Sequence, residues 1–177
     1  LFEKDEMKMK SIFRKSFKQV ELQYKNQTKS KPNVYEGSTA VVALVRRQKD
    51  QLNDIVVANV GDSRCVLCDI YGNAKALSVD HKPELESEKQ RVESLGGRVS
   101  RRSEKSCYRV YDRTGRGGLA MARALGDFFY SDAVPAEPDI QIHKMNAKKD
   151  LALIVATDGV WDVLENKDAC ELVRETL

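Results

Sequence analysis

The pattern that decides the fold lies in residues 151–164, which read Leu-Ala-Leu-Ile-Val-Ala-Thr-Asp-Gly-Val-Trp-Asp-Val-Leu. The six apolar residues Leu151–Ala156 are too few for an isolated helix and rich in β-branched side chains, so they predict a strand buried on both faces. Gly159 permits a sharp turn after Asp158, and one helical turn brings Asp162 back beside it. Two carboxylates about 4 Å apart repel by roughly 4 kcal/mol at an effective dielectric near 20, so we expect a cation or a proton between them.

A second acid has the same setting earlier in the chain. Ile55–Val60 predicts another strand, and Gly61 and Asp62 follow it directly. We expect the sheet ends to draw Asp62 to the same point as Asp158 and Asp162, where a divalent ion allows the three carboxylates to coexist.

Each of these acids also has an ordinary structural interpretation. Asp158 is also compatible with a simple turn acid at a strand end. Asp62 is also suited to accept hydrogen bonds from the turn backbone, and Asp162 to favour the amino end of the following helix.

Length and composition predict one domain with a real core. The chain has 177 residues and a net charge of +3, which is too small to argue for nucleic acid or an anionic membrane. No apolar run approaches the roughly 20 residues needed to cross a bilayer, and no secretory signal is evident. We therefore expect no nucleic-acid partner, no membrane contact and an intracellular location, in the cytoplasm, the nucleus or both.

The cysteine pattern predicts unpaired structural thiols. The four cysteines are Cys65, Cys68, Cys107 and Cys170. Cys65 and Cys68 lie three apart in a strand-like run, so their side chains point to opposite faces and favour neither a zinc site nor a redox pair.

The first half of the chain is predicted to contain a packing helix and a β-meander. Residues 1–25 form an amphipathic helix whose apolar stripe is Met9, Phe13, Phe17, Val20 and Tyr24. A packing helix is favoured over a membrane-surface or calmodulin-target helix, because the polar face mixes Gln, Glu and Ser with lysine. Residues 37–80 then read as a meander in which Ser38–Val45 and Ile55–Val60 are neighbouring antiparallel strands.

The second half is predicted to complete the sheets. Residues 83–116 contain a helix that starts near Pro83 and stops at Gly96, followed by a cation-rich, flap-like insertion. Residues 117–177 form the second half of the fold. In that half Asp139–His143 is expected to pair with Leu151–Ala156, and Lys167–Thr176 is helical.

Six short motifs occur in the order typical of one enzyme family. They are Gly37-Ser38-Thr39-Ala40, Gly61-Asp62-Ser63-Arg64, Asp80-His81-Lys82-Pro83, Gly96-Gly97, Ala122-Arg123-Ala124-Leu125-Gly126-Asp127 and Thr157-Asp158-Gly159-Val160-Trp161-Asp162. Together they resemble the metal-dependent protein serine/threonine phosphatases of type 2C.

This resemblance implies an α+β fold, a two-layer antiparallel β-sandwich flanked by helices. It also implies manganese or magnesium held by acids, and a metal-activated water that dephosphorylates phosphoserine and phosphothreonine in proteins. On this basis Asp158 matches the shared metal ligand, whereas Asp62 and Asp162 match the acids of a weaker neighbouring site. Arg64, Arg123 and His81 are expected to be structural.

Parts of the family pattern have no match in the sequence. An early segment with a phosphate-binding Arg, an Asp-Gly-His-Gly motif and a late Asp-Asn motif are absent. We therefore expect residues 1–177 to be a single partial domain, incomplete at both ends, with little or no activity alone and with exposed sheet edges that promote self-association. A catalytically inactive binding module or scaffold, and a small regulatory metal-binding domain, are the alternatives.

Overall fold

A computed structural model describes residues 2–31, 34–48 and 51–177. In chain order the elements are α1 (Phe2–Gln27), β1 (Gly37–Ser38), β2 (Ala40–Gln48), β3 (Gln51–Val60), β4 (Arg64–Asp69), β5 (Ala74–Ala76), α2 (Glu86–Ser94), β6 (Arg98–Ser100), β7 (Arg109–Tyr111), β8 (Gly117–Leu119), β9 (Leu125–Gly126), a 3₁₀ helix (Phe128–Ala133), β10 (Asp139–Lys144), β11 (Asp150–Ala156), α3 (Asp158–Trp161) and α4 (Asn166–Thr176).

Two three-stranded antiparallel sheets form the centre of an α+β sandwich. One has the strand order β10-β3-β2 and the other the order β11-β4-β5. Ile55 and Val57 of the first sheet pack against Cys65 and Leu67 of the second, and all four are buried. This apolar layer between the sheets is the core that fixes the position of the strand ends.

Helix α1 covers the outer face of the first sheet. Phe13 and Phe17 are buried against Val56 and Ala58, whose side chains alternate with those that face the other sheet. The predicted packing helix is therefore confirmed. Val20 was expected in the same stripe, but it is 49% exposed.

Helices α3 and α4 cover the outer face of the second sheet, where a covalent link joins helix and strand. Val66 and Cys68 of β4 pack against Trp161 and Cys170. Cys68 and Cys170 form a disulfide across 102 residues of sequence, so the prediction of four unpaired thiols is wrong for this pair. The sequence shows which face of a strand a cysteine occupies, but not which residue the opposite helix brings to that face.

Two predicted strand pairings are corrected by the topology. Residues 37–80 do not form one meander, because the chain passes from the first sheet to the second between β3 and β4. Strand β10 pairs with β3 rather than with β11, and β11 pairs with β4. Alternation specifies the faces of a strand but not its neighbour, so two sheets with similar strands allow several arrangements.

Strand β11 is less buried than its apolar sequence predicts. Leu153 faces the core between the sheets, but Val155, on the same face, is 46% exposed. Among the described strands β11 pairs only with β4, so it lies at the edge of its sheet.

A third sheet, β6-β7-β8, packs on α2 through Val92, Val99 and Val110. Helix α2 begins at Glu86, three residues later than the predicted start at Pro83. None of the described helices has the length and apolar character needed to cross a membrane.

Candidate active site

The turns that carry the three predicted acids lie at the same end of one strand pair. In the ladder between β11 and β4, Ala156 is opposite Arg64. Asp62 lies two residues before β4 begins at Arg64, and Asp158 lies two residues after β11 ends at Ala156. The turns that carry Asp62, Asp158 and Asp162 therefore lie at the same end of the β4–β11 strand pair.

The backbone of the first turn is held by a buried histidine. Gly61 has φ of +98°, and a Cβ there would collide with the Thr39 side chain, so glycine is required. The backbone N–H of Gly61 donates to Nδ1 of the His81 ring at 3.0 Å. The backbone N–H of His81 donates back to the Gly61 carbonyl at 3.0 Å. The amide of Asn59 also donates to the Gly61 carbonyl. These bonds fix the direction in which Asp62 leaves the turn.

The carboxylate of Asp62 is buried and has a protein cation as its partner. Nζ of Lys82 lies 2.6 Å from Oδ2 of Asp62. Burial lowers the pKa of Lys82, but the hydrogen bond and charge of Asp62, with the charges of Asp80 and Asp162, raise it overall. Lys82 is a feature that sequence reasoning missed, although its position in the Asp-His-Lys-Pro motif was a usable signal.

The second turn is open to solvent. Asp158 begins α3, and its carbonyl accepts a hydrogen bond of 2.7 Å from the N–H of Asp162, which confirms the predicted helical turn between them. Both side chains are exposed. Within the described ranges no hydrogen bond or ion pair engages the Asp158 carboxylate, whereas Asp162 interacts electrostatically with Lys82 and Arg64.

Arg64 connects the two turns. Its guanidinium makes a two-pronged ion pair with Asp80 at 3.0 and 2.7 Å, donates to Asn166 and lies over the Trp161 ring. The hydrogen bond to Asp80 is the main reason that the pKa of Arg64 is raised, with the charge of Asp162 among the smaller causes. The expectation that Arg64 is structural is confirmed.

A second arginine network supports the histidine. Arg123 pairs with buried Glu88 and with Asp139, and Nε2 of His81 lies 3.3 Å from Asp139. His81 and, more weakly, Arg123 lower the pKa of Asp139 to about 2. Both ring nitrogens of His81 therefore have partners, which confirms a structural role for it and for Arg123.

Asp127 is a buried acid that lies in a turn of the backbone. Its φ is +51°, and its N–H donates to the carbonyl of Glu36. Burial, and then the charge of Glu21, raise the pKa of Asp127 to about 6. Burial also raises the pKa of Glu21, although the Gly126 N–H opposes this. This acidic pair was not evident from sequence because its members are 106 residues apart.

The donor chemistry at this edge fits a hard divalent ion, since all three predicted ligands are carboxylates. The Lys82 ammonium on Asp62 shows that one of them already attracts a cation. However, in the described part of the chain no three acidic, histidine or cysteine side chains converge closely enough to hold a metal. The acids fit such an ion in kind, but their arrangement does not enclose one.

The fold and these motifs define a phosphatase-type domain, and the chain belongs to the protein phosphatase 2C family, whose family model matches residues 1–177. Among curated relatives it is 45% identical over 140 residues to probable protein phosphatase 2C 49 of Oryza sativa subsp. japonica, covering 78% of this chain and 30% of that protein. It is 43% identical over 143 residues to protein phosphatase 2C 3 of Arabidopsis thaliana, and the match covers 80% of this chain and 28% of that protein. The chain thus spans about a third or less of the length of these two relatives.

Solved structures show the same fold. A serine-threonine phosphatase 2C from Toxoplasma gondii superposes with a TM-score of 0.80 at 23% identity, covering 94% of this chain and 55% of that one. A C. elegans sex determining protein superposes with a TM-score of 0.77 at 28% identity, and the match covers 90% of this chain and 36% of that one.

Proposed function

We propose that this chain is the central part of a metal-dependent phosphatase that removes phosphate from phosphoserine and phosphothreonine in proteins. The observation that carries the proposal is the shared position of Asp62, Asp158 and Asp162 at one end of the β4–β11 ladder. Membership of the protein phosphatase 2C family supports the reaction class. Asp158, with Asp162 and Asp62, would hold manganese or magnesium, and the ion would supply an activated water and neutralise charge on the phosphoryl oxygens.

The chain's own residues have distinct roles in this proposal. Asp158 is exposed and has no protein partner in the described ranges, so it is the acid that is ready to bind an ion. Asp162 lies one helical turn away and adds a second carboxylate. The two hydrogen bonds between Gly61 and His81, which we call the His81 clamp, hold the turn that carries Asp62, and Lys82 balances the charge of its carboxylate. Asp62 therefore accepts a further ion only in competition with the Lys82 ammonium.

An inactive binding module is the second candidate function. It is favoured by the Lys82–Asp62 pair, since an acid that is already neutralised needs no metal. It is also favoured by the absence, among the described residues, of a cluster of three ligands.

Manganese calorimetry and hydrolysis of a phosphothreonine peptide separate these candidates. The assays use the 177-residue chain and the longest native polypeptide that contains it. We expect millimolar manganese binding by the chain, lost in Asp158→Asn and kept in Asp168→Asn, which changes an exposed acid on α4. We expect little hydrolysis by the chain alone and manganese-dependent hydrolysis by the longer protein. No manganese binding by either protein contradicts the phosphatase proposal, and turnover by the chain alone contradicts its predicted inactivity.

We also propose self-association through an open sheet edge. Among the described strands β2 lies at an edge of its sheet, and its residues Val42, Leu44 and Val45 are 43%, 40% and 51% exposed. Unpaired strand edges with apolar side chains favour edge-to-edge pairing. Light scattering tests this, and a compact monomer at high concentration contradicts it.

A further inference from the structure

The third sheet and its loop carry a concentration of positive charge that the proposed chemistry does not use. Residues 98–116 contain seven Arg or Lys and only two Asp or Glu, whereas the whole chain has a net charge of +3. Arg98, Arg101 and Arg102 are all exposed, and we call these three side chains the arginine face.

Strand alternation places Arg98 on the face of the sheet opposite the buried valines. In the β6–β7 pair, Val99 is opposite Val110, and both are buried against α2. Arg98 is opposite Tyr111 in the same pair, on the other face of the sheet. The buried valines thus fix the direction in which Arg98 points.

Aromatic rings hold two members of the arginine face in place. The guanidinium of Arg98 lies over Tyr111 at 5.4 Å, and that of Arg101 lies over Tyr108 at 5.1 Å. Stacking covers the flat face of a guanidinium but leaves its N–H edge available to carboxylate or phosphate.

The arginine face has no acidic partner in the part of the chain that the structure describes. Across the described residues none of its three members forms an ion pair, and Arg101 donates only to the carbonyl of Glu104. By contrast, nearby Arg116 reaches the Asp112 carboxylate at 3.5 Å. An unpaired, stacked arginine is already ordered for a ligand, which reduces the entropy lost on binding.

We propose that the arginine face binds an acidic segment of the phosphoprotein substrate; naming the partner as the substrate rests on the proposed function. The three guanidinium groups suit aspartate, glutamate or additional phosphorylated side chains, each of which accepts two-pronged hydrogen bonds from arginine. Helix α2 links the third sheet to the network behind the first turn, because Val92 packs on Val99 and Val110 while Glu88 pairs with Arg123. Substrates whose phosphosite is flanked by acidic residues are therefore selected over those with basic flanks.

Fluorescence anisotropy with labelled peptides tests this without catalysis. The probes are an aspartate- and glutamate-rich phosphopeptide, the same phosphopeptide with lysine flanks, and a single-stranded oligonucleotide, all in EDTA. Replacing Arg98, Arg101 and Arg102 together with Gln is expected to weaken binding of the acidic peptide by about tenfold. The corresponding triple Lys variant keeps the positive charge but lacks the planar guanidinium, which packs over a ring and forms two-pronged hydrogen bonds. We therefore expect about threefold weaker binding.

A charge-matched control removes three lysines elsewhere. Lys8, Lys15 and Lys18 are exposed on α1, and changing them together to Gln removes the same charge. This control is expected to change binding of the acidic peptide by less than about twofold. Thermal unfolding of each variant shows whether the fold is kept, which we expect because all six positions are exposed.

Three results overturn the proposal. They are equal losses in the α1 control, equal binding of the acidic and basic peptides, and tighter binding of the oligonucleotide than of the acidic peptide. Because EDTA prevents metal-dependent turnover, failure here is independent of the manganese-dependent hydrolysis that tests the phosphatase proposal.

Discussion

The turn at Gly61–Ser63 and the turn at Thr157–Asp162 have the same sequence layout but opposite surroundings. Each follows an apolar strand and carries an acid next to a glycine. Asp62 is buried, its turn is clamped by His81, and its carboxylate is paired with Lys82. Asp158 is exposed, and its carboxylate has no partner among the described residues.

The difference comes from segments distant in the sequence. His81 and Lys82 lie about 20 residues beyond the first turn and return to it, whereas no described side chain bonds the carboxylate that opens the second turn. Local sequence therefore sets the shape of both turns, while tertiary contacts decide which acid is already neutralised and which is free for a ligand. Four changes to the chain test this contrast.

The largest expected effect comes from the Cys68–Cys170 disulfide, which attaches the helix that follows the second turn. Cys170→Ala removes the link between α4 and β4. Because this disulfide closes a loop of about 100 residues, its loss is expected to lower the free energy of unfolding by about 4 kcal/mol. Denaturant unfolding under oxidising conditions measures this.

Cys107→Ala is the control for this change, since Cys107 is exposed and unpaired. It is expected to leave stability unchanged, and a reducing agent should lower wild-type stability to that of Cys170→Ala. Equal stability of the oxidised and reduced wild type would mean that packing, not the link, holds α4.

The next effect concerns the clamp on the first turn. His81→Ala removes a fully buried ring and leaves the Gly61 N–H without an acceptor. We expect a loss of about 3 kcal/mol in the free energy of unfolding. His143→Ala is the control, because His143 lies on a strand face and pairs with Asp150. A loss for His81→Ala no larger than for His143→Ala would show that the turn does not depend on the clamp.

A smaller, pH-dependent effect is expected at Asp127, which is buried beside Gly37. Its folded-state pKa, about 6, is above the unfolded value, so its contribution to stability is full below about pH 4 and is lost as pH rises through 6. Between pH 4 and pH 7.5 the raised pKa of Asp127 should lower the free energy of unfolding of the wild type by an amount on the order of 2 kcal/mol. This fall should be absent in Asp127→Asn. Asparagine also tolerates the positive φ.

Denaturant unfolding at several pH values measures this dependence. Asp132→Asn is the control, since Asp132 is an exposed acid in the same segment and should leave the pH profile unchanged. A profile for Asp127→Asn that matches the wild type would assign the pH dependence to other groups, such as Glu21.

Much of this contrast was predictable, and the remainder was not, for one physical reason. Periodicity and β-branched content identified α1, the longer strands β2, β3, β10 and β11, and the Asp158–Asp162 turn, because these depend on neighbouring residues. The partner of β10, the Cys68–Cys170 bond and the Lys82–Asp62 pair depend on which distant segments the two sheets bring together. Position in a motif indicated that Lys82 matters, but only its placement at Asp62 shows how.

The smallest effect, and the most direct test of the contrast, is on manganese affinity. Lys82→Met removes the ammonium from Asp62 and leaves a buried carboxylate without its protein cation. If the first turn is balanced by Lys82 while the second is open, manganese should bind about tenfold more tightly, which corresponds to about 1.4 kcal/mol. Calorimetry on the metal-free chain measures the change.

Lys89→Met is the matched control, because Lys89 lies on α2 and no hydrogen bond or ion pair connects it to an acid among the described residues. Its effect should be within about twofold of wild type, as a distant charge is screened by salt. Adding Asp62→Asn to Lys82→Met should cancel the gain, since Lys82 acts through that carboxylate. A gain that survives in the double variant would mean that Lys82 opposes the ion through Asp162 instead, and that the two turns share one electrostatic site rather than two unlike ones.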